Sequence, residues 1–368
     1  MPIFMNAPRS TAKAAREIAR GDLAFRGCQS CGFVWNAAFD NALVVYDDAY
    51  ENNQGMSAEF DRHLEARAQD VLRGIMADSL NLVEIGCGQG EFLHRLVGQA
   101  GGSVHSATGF DPAFRGSVPQ TGPISVVKSY FGPASVQHLP AAPDLVVSRH
   151  VIEHIPDPVA FLTTIRATLG RDSRARIFLE TPRVEWIFEN FAMQDFFYEH
   201  CSLFSEAAME HALRRAGFVP EAIRPVFGGQ YLWAEARAAA DAPGTSPLPA
   251  PDWMAQAGAA FHDFGQHWRA RVTAARETGP VAVWGAGAKG VSFIQTVDPE
   301  ARLVTCVIDI NPAKQGKFLP GTGHPILGPE AALAHAVGTI FVMNPNYRDE
   351  IGATLHGMGS AAELVSIN

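Results

Sequence analysis

Two short stretches constrain the fold of this chain more than anything else in it: "VEIGCGQGEF" at 83–92 and "VAVWGAGAKG" at 281–290. Each is an apolar run that enters a cluster of glycines and leaves into helix-compatible residues. That pattern describes a strand, a tight turn and a helix, with turn N–H groups free to approach a ligand closely. Two such turns in one chain predict two α/β units.

The alternation of patterns supports this. Apolar strands at Leu82–Ile85, in "SATGFDP" ending at Asp111, in "PDLVVSRHVI" and in "ARIFLETP" alternate with helical periodicity around Ser57–Ile75, from Gly90, in "PDPVAFLTTIRATL" and in "EAAMEHALRRAGF". Strands alternating with helices predict a parallel sheet covered on both faces. The Ala-, Pro-, Gly- and Ser-rich run Ala236–Trp253 reads as a linker. Beyond it lie a long helical stretch, the strands "VAVW", "LVTCVID" and "GTIFVM", and the helix "PEAALAHAV". The expected organisation is an N-terminal cap at 1–56, a larger Rossmann-like α/β domain at 57–236, a linker and helix at 237–275, and a smaller Rossmann-like domain at 276–368.

Composition excludes several functions. A formal charge of −9 suits a nucleic-acid backbone poorly. The 47 % apolar content, with 18 % charged residues, belongs to a globular chain. No run approaches the ~18 apolar residues of a membrane helix, and no apolar segment follows the basic residues at the N-terminus as in a signal peptide. Five irregularly spaced cysteines suggest no disulfide framework. A cytoplasmic protein handling small molecules is expected, with no nucleic-acid or membrane partner.

In the first turn Glu84 precedes Gly86, Gly88 and Gly90, and Asp111 at the end of the next strand is placed to hold ribose hydroxyls. A glutamate two residues before the first glycine is not part of the dinucleotide fingerprint. The pattern E-x-G-x-G-x-G with a following acid resembles the class I S-adenosylmethionine (SAM) methyltransferases. That resemblance implies a loop flanking the methionine portion and Asp111 on the ribose; a dinucleotide turn or a plain tight connection are the alternatives. "SRHVIEHIPDPVAFL" follows a strand that lines the crevice, which places His150 and His154 near the sulfonium. Glu153 and His154 could instead cap or pack the following helix. "DFFYEHCSLFS" gathers Tyr198, Glu199 and His200 ahead of a helix that Ser205 could cap. Methyl transfer needs an aligned acceptor relieved of a proton, and a histidine beside a carboxylate suits that role; an ordinary polar turn is the alternative.

The whole chain is similar to the NDP-sugar C-methyltransferases of deoxysugar pathways, through "CQSCGFVWNAAFD", "VEIGCGQGEF", "HVIEHIPDP", "FYEHCSLFS" and "WGAGAKG…VIDINPAKQGKFLPGTGHPI…PNYRDEI". The resemblance implies a substrate between the two large domains and a base that strips a proton beside a ketone. Its active-site pattern is Tyr-x-Glu-His with a further His from the "HIP" element. Glu199, His200 and His154 match. Phe197 occupies the tyrosine position and Tyr198 falls one place later, so the acceptor and the choice of C- or O-methylation stay open. The family's zinc module uses two cysteine pairs, whereas only Cys28 and Cys31 are present here. A closed zinc site wants four ligands, so no metal is expected and the first fifty or so residues must hold by packing of Phe4, Phe33, Val34, Trp35 and Tyr46. Tyr50, with "YENNQ", is expected to cover the SAM site as a lid.

"GAGAKG" satisfies G-x-G-x-x-G, with Asp309 about 20 residues on, so taken alone it favours NAD. The resemblance assigns this domain instead to structure and substrate binding. Lys289, Lys314, Lys317 and Arg348 could reach the diphosphate of a nucleotide-linked sugar, helped by a helix N-terminus, or be solvated surface groups. The expected protein is a SAM-dependent methyltransferase with His200, Glu199, His154 and Tyr198 at the reacting centre. An O-methyltransferase, an NAD-dependent oxidoreductase and a non-catalytic binding module are its rivals.

Overall fold

The computed structural model describes residues 1–44, 57–75, 79–116, 122–171, 173–239 and 257–367. The N-terminal segment carries a short helix α1 (Ala12–Arg16) and two small strands, β1 (Phe25–Gly27) and β2 (Val34–Asn36). Cys28 and Cys31 sit in the turn between these strands, where Gly32 N–H closes onto the Cys28 carbonyl at 2.9 Å. Among the described residues no third His, Cys, Asp or Glu is grouped with that cysteine pair.

Helix α2 (Ala58–Leu72) leads into β3 (Leu80–Ile85), α3 (Glu91–Ala100), β4 (Val104–Phe110), β5 (Ile124–Val127), β6 (Leu145–Arg149), α4 (Pro158–Thr168), β7 (Arg176–Pro182) and α5 (Val184–Glu189). After a two-residue strand β8 (Ser202–Leu203) come α6 (Glu206–Arg215), β9 (Phe218–Val226) and β10 (Tyr231–Ala238). The large sheet has the order β5-β4-β3-β6-β7-β10-β9. Its first five strands run parallel, and β10 pairs antiparallel with both β7 and β9. Strand β5 and the β9–β10 hairpin have no counterpart in the sequence reading, and β10 runs to Ala238, two residues past the expected boundary at 236. Pro220 and Pro225 interrupt the pattern of β9; they are tolerated because β9 is a sheet edge.

The chain resumes with α7 (Ala257–Thr278), β11 (Val281–Trp284), α8 (Ala288–Val297), β12 (Cys306–Ile308), β13 (Ile326–Leu327), α9 (Pro329–Leu333), β14 (Thr339–Val342), α10 (Arg348–Gly357) and β15 (Glu363–Ser366). These strands form an all-parallel sheet, β13-β12-β11-β14-β15. In each large sheet the strand preceding a glycine turn lies where the order of connection reverses, the usual ligand crevice of an open α/β sheet. Both units are Rossmann-like.

The units share a core. Trp186, Ile187, Met193 and Phe196 from the end of the first unit pack with Phe264, Trp268, Val283 and Phe293 of the second, and with Met5 and Val34 of the N-terminal segment. Strand β8 pairs with β2, Val34 against Leu203 and Trp35 against Ser202. The N-terminal segment therefore clamps the chain immediately after His200. It also reaches the second unit, where Arg9 and Phe318 exchange backbone hydrogen bonds at 3.0 and 2.8 Å. Tyr46 and Tyr50, including the expected lid, lie outside the described residues. No described helix is long and apolar enough to cross a membrane.

Candidate active site

The first glycine turn is built as its residue types require. Gly86, Gly88 and Gly90 have φ of 74°, 57° and 87°, a region that side chains with a Cβ rarely adopt. A Cβ built on Gly86 would lie 2.1 Å from Val151 Cγ2, so the turn packs directly on the end of β6. A Cβ on Gly88 meets nothing within 4 Å, so open space lies above the loop. Asp111, one residue beyond β4, accepts from Gly88 N–H through Oδ2 and from Ala113 N–H through Oδ1, both at 2.8 Å. Beneath the loop Glu84 is buried, and its Oε2 has no hydrogen-bond partner among the described residues. Burial pushes its carboxyl up to about 7 against the opposing pull of Arg149. Open space over the loop, an orphaned buried oxygen and a carboxylate at the neighbouring strand end fit a bound adenosyl amino acid.

Beside this turn β6 ends at Arg149, and His150 takes φ 52°, an uncommon conformation for a non-glycine residue. Its ring packs edge-on against Tyr231, centroids 4.6 Å apart, and its Nδ1 lies 3.4 Å from Glu153 Oε1. Glu180, at the neighbouring end of β7, is fully buried and is held by Arg149 Nε at 2.7 Å and by His63 Nε2. Burial alone would raise its carboxyl, but Arg149 and His63 hold it well below the usual carboxylate range.

A cavity of about 260 Å³ opens from here toward the second unit. His150, Glu153, His154, Phe197 and His200 line one side; Gly285, Gly287, Lys289 and Lys314 line the other. The His154 and His200 rings cross at 85° with centroids 4.8 Å apart. Burial lowers His154, opposed by Glu153. Burial, then the charges of His154, His150 and Lys289, hold His200 well below its ordinary value, so its imidazole is neutral near pH 7. Its Nδ1 has no hydrogen-bond partner among the described residues.

Several expected site residues are placed differently. Tyr198 is buried away from the cavity: its hydroxyl accepts from Asp40 N–H at 2.8 Å, and its ring lies against Phe39. Phe197 faces the cavity in its place, ring centroid 3.8 Å from that of His200. The two neighbours sit in an irregular stretch between the 3₁₀ turn at Met193–Asp195 and β8, where adjacent side chains diverge. Glu199 turns toward the N-terminal segment and accepts from Met5 N–H at 3.0 Å. The carboxylate grouped with the two imidazoles is Glu153.

Three of the four expected cations of the second unit are engaged within the protein. Lys289 Nζ binds buried Asp195 Oδ2 at 2.8 Å, and Asp195 thereby supplies an anion at the N-terminus of α8. Lys314 lies 3.6 Å from Asp309 Oδ2, while that carboxylate also accepts from Ala286 and Asn311 N–H groups. Arg348 points to the far side of α10, donating to the Leu364 carbonyl at 2.8 Å, and does not line the cavity. Lys317 is exposed.

Sequence reasoning gave Glu153 only a capping or packing role, and it did not single out Tyr231, which lines the cavity, or Glu180 and Arg149, which pair beside it. A glutamate inside the apolar run "IFLETP" was a signal for Glu180. Tyr231 lies on the hairpin that the prolines concealed.

The family described as "Methyltransferase domain" matches residues 59–223, and the family described as "C-methyltransferase C-terminal domain" matches residues 254–364. The C-methyltransferase NovU of Streptomyces niveus is 28% identical over 226 residues, which are 56% of this chain and 52% of that protein. The match thus spans about half the length of that curated relative. Among solved structures, the 1,6-didemethyltoxoflavin-N1-methyltransferase of Burkholderia thailandensis, with S-adenosylhomocysteine bound, is 18% identical with a TM-score of 0.36, covering 50% of this chain and 82% of its own. Magnesium protoporphyrin IX methyltransferase of Synechocystis PCC 6803, with SAM bound, is 14% identical with a TM-score of 0.37, covering 52% and 88%. Two segments of this chain, 59–223 and 254–364, thus match a methyltransferase domain and a C-methyltransferase C-terminal domain, each over less than half of its length.

Proposed function

We propose that the protein transfers a methyl group from SAM to a small acceptor held between its two α/β units. The observation that carries this reading is the Glu84–Gly90 turn with Asp111, set directly beside a strand end that presents His150 and His154 to a cavity. A bound sulfonium donor supplies an activated methyl group. The residues of the chain do the rest. Gly86, Gly88 and Gly90 admit the donor over the loop, and Glu84 and Asp111 offer carboxylate acceptors to it. His200, neutral and aimed at the cavity, takes the proton of the acceptor. His154 orients that acceptor, and Phe197 and the wall of the second unit exclude water. Alignment and proton removal are what an already activated donor leaves to the protein.

The preferred acceptor is carbon beside the ketone of a nucleotide-linked sugar. The C-terminal match, the relative NovU and a cavity bounded by a glycine turn support it. O-methylation of a sugar-like or natural-product acceptor is the second reading, favoured by Phe197 at the tyrosine position. An NAD-dependent oxidoreductase is less well supported, because Lys314 already neutralises the carboxylate that would hold a ribose on the second turn.

Thermal unfolding separates these classes. SAM or S-adenosylhomocysteine should raise the melting temperature, as any ligand selective for the folded state must. A rise with NAD and none with SAM would overturn the proposal. With a ketosugar acceptor, exchange of its α-hydrogen for solvent deuterium in the absence of SAM is expected for C-methylation; its absence alongside turnover assigns the O-methyl route.

A further inference from the structure

Glu153, His154 and His200 form a grouping that general acid–base chemistry does not use up. Each offers one ligand atom, and these atoms all lie within 4.8 Å of one another. Glu153 is fully buried. Its Oε2 accepts from Thr181 Oγ1 at 3.1 Å, which fixes the carboxylate. Its Oε1 makes no hydrogen bond among the described residues, and neither does the buried Nδ1 of His200. All three residues line the cavity, so a fourth direction stays open.

Two imidazoles and one carboxylate with an open position make a donor set for zinc-class divalent ions. Magnesium and calcium prefer oxygen ligands. Bond lengths of about 2.1 Å would draw tetrahedral donors to roughly 3.4 Å apart. With Thr181 holding the glutamate, that contraction falls to rotation of the two histidine side chains on metal binding.

We propose that Glu153, His154 and His200 bind a divalent transition-metal ion of the zinc class, which competes with the acceptor's proton for the lone pair of His200. The binding stands on the geometry alone; the competition rests on His200 being the base of the reaction proposed above.

Cobalt(II) is the probe, because its visible absorption reports four- or five-coordinate nitrogen and oxygen ligation. The protein carries Cys28→Ser and Cys31→Ser so that the cysteine pair cannot take the ion. One equivalent of Co²⁺ is expected to bind with visible bands, and His200→Ala or Glu153→Gln should weaken it at least tenfold. No visible-band binding to the folded protein, or unchanged affinity in both variants, overturns the site. Melting curves without metal identify a variant that does not fold. In that case the anomalous cobalt peak in crystals of the unsubstituted protein decides, by lying between Glu153, His154 and His200 or elsewhere. These readouts need neither donor nor acceptor, so they are independent of the methyltransferase reading. In turnover, saturating zinc should lower the rate at least tenfold and a chelator should restore it. Full activity with the site shown to be filled would overturn the competition.

Discussion

His200 is assigned the proton transfer because burial, reinforced by the Lys289 ammonium, keeps its imidazole neutral. His200→Ala should lose ~10²–10⁴ in turnover while the melting temperature still rises with SAM; near-normal turnover would remove His200 from that role. The pH profile gives a second check. A base whose conjugate acid is depressed stays competent in acid, so the acid limb of kcat/KM should lie well below pH 6.5, and a limb at or above 6.5 contradicts the assignment. The folded state also refuses protons that the unfolded chain takes up near pH 6.5. His200 and His154 therefore make the protein less stable as pH falls from about 6.5 toward their folded values. At this scale the sequence disclosed local chain geometry: Gly86 and Gly88 form a tight turn after β3, Asp111 follows β4, and His154 and His200 line the cavity. It did not disclose that Phe197 faces the cavity while Tyr198 faces the N-terminal segment, because residue spacing carries no direction where the backbone is irregular.

The element that joins the two units is α8, whose first turn carries Lys289. Its ammonium binds Asp195, with side chains only 19% and 7% exposed, and lies 5.2 Å from the centre of the Trp186 ring. Lys289→Met leaves the buried carboxylate without its partner and should cost about 3 kcal/mol of stability by denaturant unfolding. The double variant with Asp195→Asn should be markedly less damaged than additivity predicts. Additive losses would show that the pair is not coupled. The second glycine turn was legible as strand, turn and helix. The engagement of Lys289 was not, because Asp195 comes from an element 94 residues away in sequence. The hairpin β9–β10 escaped notice for a different reason. Its alternation is broken by Pro220 and Pro225, and its turn uses Phe227, Gly228 and Gly229 at φ of 52°, 64° and 85°.

Across the whole molecule, the two α/β units and their order were legible from the paired glycine turns, whereas their common core was not; the expected linker lies outside the described residues beyond 239. Long-range packing of Met5 and Val34 with Phe196, Phe264 and Phe293 is a property of the assembled chain, invisible to periodicity. A core that runs through both units predicts one cooperative heat-absorption peak in calorimetry; two separated transitions would show that the units unfold independently. The same continuity gives the cavity its two walls, one from each unit. The most direct measurement is a crystal structure with S-adenosylhomocysteine. The account predicts the adenosine over Gly86–Gly90 with its ribose at Asp111, and the sulfur facing the cavity toward His154 and His200. Nucleoside density at Gly285–Gly290, with none at Gly86, would contradict it.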